Sequence, residues 1–203
     1  MKDINHERCC VETENYLNSI GQRKNEALKN IGCSVECGYD YLGAFSGKPL
    51  SDLCKYLNLW LDEQKRIHVK GNSGIAEEEW NDIENLWKYL LEKDPSSKCR
   101  RETNGYNISN KENYMKLLSY CLNRDYIKSL CESTISFSIN IPHACSAFYN
   151  FVEGNYESFY KENQCIDYSI KDTDYSHNIS DECTLYNMAI TFPIISVQEK
   201  KIL

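Results

Sequence analysis

Residues 50–61, LSDLCKYLNLWL, decide the fold. Leu50, Leu53, Cys54, Leu57, Trp60 and Leu61 recur at helical spacing and wrap one apolar stripe along an α-helix. Pro49 stands where a first helical residue belongs, its fixed φ suited to that place and its missing N–H not needed, with Ser46 or Gly47 leading in. Cys54 falls inside the stripe, so its sulfur is directed toward a core. A disulfide from there ties the most hydrophobic helix to another segment. The same combination of apolar helix and inward cysteine recurs along the chain.

Toward the amino end, residues 6–20 predict a helix with Cys10, Thr13, Leu17 and Ile20 on one face, ended by Gly21. Residues 23–31 predict a shorter one through Ala27, Leu28 and Ile31. The stretch 32–49, GCSVECGYDYLGAFSGKP, is punctuated by Gly32, Gly38, Gly43 and Gly47 and reads as an irregular loop that needs tying down. A bridge from Cys37 or Cys33 to Cys54 is the economical tie. Toward the carboxyl end, a turn at 69–74 precedes a helix over 75–93. Glu77, Glu78 and Glu79 sit in its first turn, where carboxylates favour the positive end of the helix dipole. Trp80, Ile83, Trp87, Leu90 and Leu91 form its stripe, and Asp94-Pro95 stops it. Two strong amphipathic helices joined by so short a turn predict an antiparallel pair.

Residues 94–108 read as a long exposed loop anchored by Cys99. Ser109 and Glu112 make a capping box ahead of a helix carrying Tyr114, Leu117, Leu118, Cys121 and Leu122, which continues or kinks at 123–125 before Tyr126, Ile127, Leu130 and Cys131. Residues 132–139, ESTISFSI, alternate in strand-like fashion and read as an extended connector. A helix restarts at Pro142, with Cys145, Phe148, Val152, Tyr156 and Phe159 inward and Gly154 tolerated at some cost. Residues 165–183 form another stapled, acidic loop, and a last helix begins at Ser180 and carries Leu185, Met188 and Ala189. The expectation is an all-α, disulfide-stapled helical bundle with long cysteine-anchored loops. It forms a single ectodomain over 1–203, divisible into sub-halves 1–95 and 96–203.

Eleven cysteines are dispersed along the whole length, which favours disulfides and an oxidising compartment over metal-ligand pairs. The odd count leaves at least one thiol free or paired with another chain. Neighbours in sequence rarely bond each other, so Cys9 and Cys10 are its expected source, with only one finding a partner. The disulfide candidates are Cys10, Cys33, Cys37, Cys54, Cys99, Cys121, Cys131, Cys145, Cys165 and Cys183. A net charge of −7 argues against nucleic acid as a partner. Residues 131–203 carry ten acidic and four basic side chains, so nearly all the net charge lies there, as a solvated face or as a docking surface for a basic partner. The first residues hold no apolar leader, and no run is long enough to span a bilayer. Membrane contact is therefore expected only through a transmembrane segment absent from this chain, as in a trimmed ectodomain or an unusual export route.

No catalytic, cofactor or metal site is expected. The C-x3-C spacing of Cys33 and Cys37 lacks the second pair that structural zinc shows. Cys145 has His143 two residues before it, and on a helix those point apart. His6, His68 and His177 fall in polar surroundings, and nothing places two carboxylates across an apolar cleft. Two Asn-Ile-Ser sequons, at Asn107 and Asn178, are near chance in an asparagine-rich chain. Tyr39, Tyr41 and Phe45 on the glycine-rich stretch are candidate ligand contacts, unless they fold back onto the core.

The segment Cys54-Lys55-Tyr56-Leu57-Asn58-Leu59-Trp60-Leu61 follows a cysteine-rich amino end and precedes a tyrosine- and lysine-rich helical middle with spaced cysteines. This order resembles the Plasmodium interspersed repeat (PIR) family, most closely its vivax-type VIR branch, whose members carry a C-x-Y-L-N-x-W-L-like segment. The resemblance implies an all-helical variant surface ectodomain, exported by a blood-stage malaria parasite and displayed on or near the infected red cell, or secreted. The implied roles are adhesion to a host receptor or immune protein and immune evasion, without catalysis. Cys54, Tyr56, Leu57, Asn58, Trp60 and Leu61 carry over by motif, with a structural role. The carboxy-terminal membrane helix of the family and a clear R-x-L export motif are missing here, as in a truncated or short secreted form. The competing expectation is a secreted cysteine-rich effector acting as a soluble ligand.

Overall fold

The computed structural model describes residues 9–22, 25–69, 75–94, 99–102, 111–135, 142–163, 177–196 and 201–202. Its elements are α1 (Val11–Ser19), α2 (Glu26–Leu42), α3 (Gly47–His68), α4 (Glu77–Lys93), α5 (Lys111–Ile135), α6 (His143–Glu162), β1 (Asn178–Ser180), β2 (Cys183–Thr184), the single turn α7 (Met188–Thr191), β3 (Ile195–Ser196) and β4 (Lys201–Ile202). The fold is all-α and disulfide-stapled, with β1–β2 and β3–β4 as two small antiparallel pairs. The chain divides into two compact units, 1–105 and 106–203. The boundary falls after the Cys99–Glu102 stretch because those residues bond back to α3 and α4.

In the first unit the main departure from expectation is α2. Asn25 Oδ1 accepts from the Leu28 N–H at 3.1 Å and starts it, and the helix then runs through Gly32 and Gly38 to Leu42 where an irregular loop was expected. The glycines serve contact, not looping. A Cβ on Gly32 would lie 2.5 Å from Thr13 Cγ2 and 3.0 Å from Leu86 Cδ2, and one on Gly38 would lie 2.7 Å from Leu57 Cδ1. These two bare positions let α1, α4 and α3 close onto α2. Helices α3 and α4 both approach the α2 backbone closely, and Lys65 at the end of α3 pairs with Glu77 at the start of α4 at 2.5 Å, so the expected α3–α4 pair is joined by packing on a shared helix. Leu28, Ile31, Val35, Tyr39 and Leu42 of α2 interleave with Leu57 and Leu61 of α3 and with Trp80, Ile83, Leu86, Trp87 and Leu90 of α4.

Helix α1 has no side-chain cap of its own at Cys10. Glu36, buried on α2, supplies it: its carboxylate accepts from the N–H of Glu12 at 3.0 Å and of Thr13 at 2.7 Å. A negative charge at a helix amino end is favourable and fills amides that the helix itself leaves unpaired. Helix α3 begins two residues ahead of Pro49, at Gly47, whose φ of +64° is open to glycine at no steric cost.

In the second unit, α5 and α6 pack antiparallel. The Cys131–Cys145 bridge joins the end of α5 to the start of α6, and at the other end Asn113 Nδ2 donates to Asn163 Oδ1 at 3.2 Å. Helix α5 continues to Ile135, so the extended connector expected over 132–139 is helical in its first half; 136–139 lie outside the described residues. Ser180 belongs to β1, and the expected last helix shrinks to α7. The Thr184 N–H donates to Thr191 Oγ1 at 2.8 Å, and that hydroxyl donates to Thr184 O at 2.6 Å, holding α7 against β2 instead of letting a longer helix form.

The two kinds of glycine predict opposite responses. Gly32→Ala should lower stability by about 1–2 kcal/mol in urea melts of the oxidised protein, because overpacking against the rigid Thr13 outweighs the helix-propensity gain. Gly154→Ala, where no described atom lies within 4 Å of an added Cβ, should raise it by about 0.5–1 kcal/mol. Equal shifts in the same direction would refute the close-approach account.

Candidate functional site

The residues of the 50–61 segment build a clamp. Cys54, Asn58 and Asp62 are four apart and share one face of α3. Cys54 is bridged to Cys99. Asn58 Nδ2 donates to the carbonyl of Arg100 at 3.0 Å, and its Oδ1 accepts from Arg101 Nη1 at 3.0 Å and from the Glu102 N–H at 2.8 Å. Arg101 Nη2 donates to Asp62 Oδ1 at 2.5 Å and its Nε to Glu84 Oε2 at 2.9 Å, so one guanidinium spans α3 and α4. Its side chain is 7% exposed and stands 5.9 Å from the Trp87 ring centre. Burial disfavours its charge, yet its hydrogen bonds to Glu84 and Asp62 prevail and hold its pKa above the usual value. Trp80 Nε1 donates to Glu84, and Trp87 Nε1 to Cys99 O at 3.1 Å. Leu57 and Leu61 lie in the core, while Tyr56 and Trp60 are half-buried; burial raises the Tyr56 phenol above its ordinary range.

Ten cysteines form five disulfides among the described residues: Cys9–Cys37, Cys10–Cys33, Cys54–Cys99, Cys121–Cys183 and Cys131–Cys145. The expected tie from Cys33 or Cys37 to Cys54 is therefore corrected. Cys33 and Cys37, one turn apart on α2, face the start of α1, where both members of the Cys9–Cys10 pair find partners. The expectation that only one of that pair bonds is corrected too, because the two acceptor sulfurs are themselves a helical turn apart. Cys145 is spoken for by Cys131, with His143 exposed beside it. Cys165 and His6 lie outside the described residues. Bridges of this number and dispersal belong to proteins matured in an oxidising, extracellular environment. No described helix is long and apolar enough to cross a membrane.

Of the candidate contacts, Tyr39 is corrected: it is buried, edge-on to Trp87 at 6.2 Å, with its hydroxyl donating to Asp94 O. Tyr41 is 60% exposed and pairs with Phe45 at 5.0 Å across the turn from α2 to α3. The difference is helical phase. Tyr39 lies on the same face as Val35 and Leu42, whereas Tyr41 projects from the opposite side, which a loop reading could not distinguish.

The second unit contains polar and aromatic features that the sequence reading passed over. Tyr120 sits among Phe151, Phe159 and Phe192, its ring centre 4.7 Å from that of Phe192, and its hydroxyl donates to Thr191 O at 3.0 Å. Burial pushes its pKa far upward. Arg124 donates from Nη1 to the carbonyls of Glu182 and Thr191, so both residues of α5 fasten the irregular carboxyl-terminal segment. An open polar pocket of about 290 Å³ is lined by Glu112, Asn113, Lys116, Glu162, Asn163 and His177. Lys116 lies 3.6 Å from both Glu112 and Glu162, so these carboxylates are engaged with an ammonium and not with each other. The His177 ring stands edge-on to Tyr186 at 6.1 Å. Outward on α6, Tyr149, Tyr156 and Tyr160 are all exposed. Comparison with protein-family models, with curated proteins and with solved structures finds no match for this chain.

The clamp predicts that Arg101→Ala will cost about 3–5 kcal/mol in denaturant melts, since it leaves Asp62 and Glu84 without their cation, and that Arg101→Met in a background with Asp62→Leu and Glu84→Leu will recover most of it. A second expectation concerns acid. The Lys93 ammonium first, and the Tyr89 hydroxyl next, hold the Glu12 carboxyl below the usual range. Its stabilising contribution is present above the unfolded carboxylate pKa and is lost as pH falls through the lowered folded value. Glu12→Gln should flatten that part of the acid limb in melts recorded from pH 6 downward; an unchanged limb would remove Glu12 from the account.

Proposed function

We propose that this chain is the ectodomain of a non-enzymatic variant surface antigen of the PIR kind, in its VIR branch, which binds a host receptor or immune protein and serves immune evasion at the infected red cell. The observation that carries the reading is the C-x-Y-L-N-x-W-L-like segment at Cys54–Leu61 in a cysteine-rich helical chain. In support, its Cys54 and Asn58 hold the Cys99–Glu102 stretch in place, which is the structural role the resemblance assigns to the motif. Five disulfides suit exposure to host plasma. Such a scaffold keeps its helices and cystines and presents contacts from its turns, among them Tyr41 and Phe45.

Flow cytometry of the biotinylated, oxidised chain on red cells and vascular endothelial cells is the test. Saturable binding that is lost when the chain is reduced and alkylated is expected, and Tyr41→Ser with Phe45→Ser should weaken it about tenfold if this pair anchors the contact. Absence of saturable binding to any host cell would overturn the adhesion reading. The alternative is a secreted effector that acts as a soluble ligand. The native gene separates the two: a downstream membrane helix supports the antigen, and a stop codon after this domain supports the effector.

A further inference from the structure

Helix α6 carries an aromatic stripe that no described residue covers. Tyr149, Tyr156 and Tyr160 are spaced seven and four apart, which places all three within a narrow sector of the helix surface. They are 48%, 41% and 53% exposed. The stripe borders the buried edge formed by Cys145, Val152 and Phe159, and Tyr156 is seated by its edge-on contact with Phe192 at 5.5 Å, so the row is anchored and not loosely displayed. Tyr156 and Tyr160 stack at 5.8 Å. On the solvent side of the row run Glu153 and Glu157, both exposed. Tyr149 donates its hydroxyl to Glu153 Oε1 at 2.9 Å, which fixes the phenol and turns its ring outward beside a carboxylate. The nearest counter-charge on the helix, Lys161, reaches Glu157 only at 3.8 Å with both side chains mostly in solvent, a contact that exchanges readily.

Aromatic rings flanked by carboxylates are complementary to cationic side chains, which take the ring faces by cation–π attraction and the carboxylates by ion pairing. The charge balance of the region agrees: residues 131–203 hold ten acidic and four basic side chains. We propose that the outward face of α6, formed by Tyr149, Tyr156 and Tyr160 and edged by Glu153 and Glu157, is a docking surface for an arginine- and lysine-rich segment of a partner protein. The surface belongs to the second unit, whereas the Tyr41–Phe45 pair belongs to the first, and it does not depend on the identity of any host receptor.

Fluorescence anisotropy with a fluorescein-labelled peptide of alternating arginine and glycine, titrated with the oxidised full chain at about 0.15 M salt, tests this. Micromolar binding is expected. Tyr149→Ser with Tyr160→Ser should weaken it about five- to tenfold, while Tyr149→Phe with Tyr160→Phe, which keeps the rings, should retain it. Glu153→Gln with Glu157→Gln should weaken it more than Glu78→Gln with Glu92→Gln, an equal charge change on α4 of the first unit. Circular dichroism of each variant distinguishes lost binding from lost fold. The proposal is overturned if the serine pair binds as tightly as the parent, or if the α4 pair loses as much as the α6 pair, since general attraction to an acidic protein would then explain the binding.

Discussion

The guanidinium of Arg101, shared between Asp62 and Glu84, is the constraint on which the first unit depends. Helices α3 and α4 share a core with α2 and a Lys65–Glu77 pair at one end, and this group adds a second link between them. A charge this deeply placed is tolerable only when its donors are matched, and here Asp62, Glu84, the Asn58 side chain and the Glu102 carbonyl take them. The Cys54–Cys99 bridge delivers Arg101 to that position. With the sulfur link closed, the clamp becomes a local event in place of a long-range search, which is why covalent and polar contacts coincide on one face of α3.

The second unit solves the same problem with different chemistry. Residues 177–196 bury Leu185 and Phe192 in the core and are further held by a bridge to Cys183, by Tyr120 and Arg124 donating to backbone carbonyls, and by the reciprocal Thr184–Thr191 bonds. In both units a long helix supplies side-chain donors, a cysteine fixes the neighbouring segment, and backbone acceptors of that segment are satisfied.

The sequence alone determined the helical class, the stripe of α3 and α4, the inward direction of Cys54, Cys121, Cys131 and Cys145, and the disulfide character of the chain. Each of these follows from residue spacing, and a 3.6-residue period is a local property. It misassigned 32–42 because glycines are read as breaks when only neighbours in sequence are considered; the reason for Gly32 and Gly38 lies on other helices, in Thr13, Leu86 and Leu57. That error left open whether Tyr39 lay on a surface or in the core. Bridge partners were equally out of reach, since connectivity depends on which helix faces which. Only the tertiary structure decided that α2 is the helix shared by its neighbours, that Glu36 caps α1 from a distance, that Asn58 and Arg101 belong to one network, and that Tyr149 and Tyr160 of α6 lie exposed in a row with Tyr156 at the core's edge. Those facts rest on contacts between residues far apart in the chain, where spacing carries no information and packing decides.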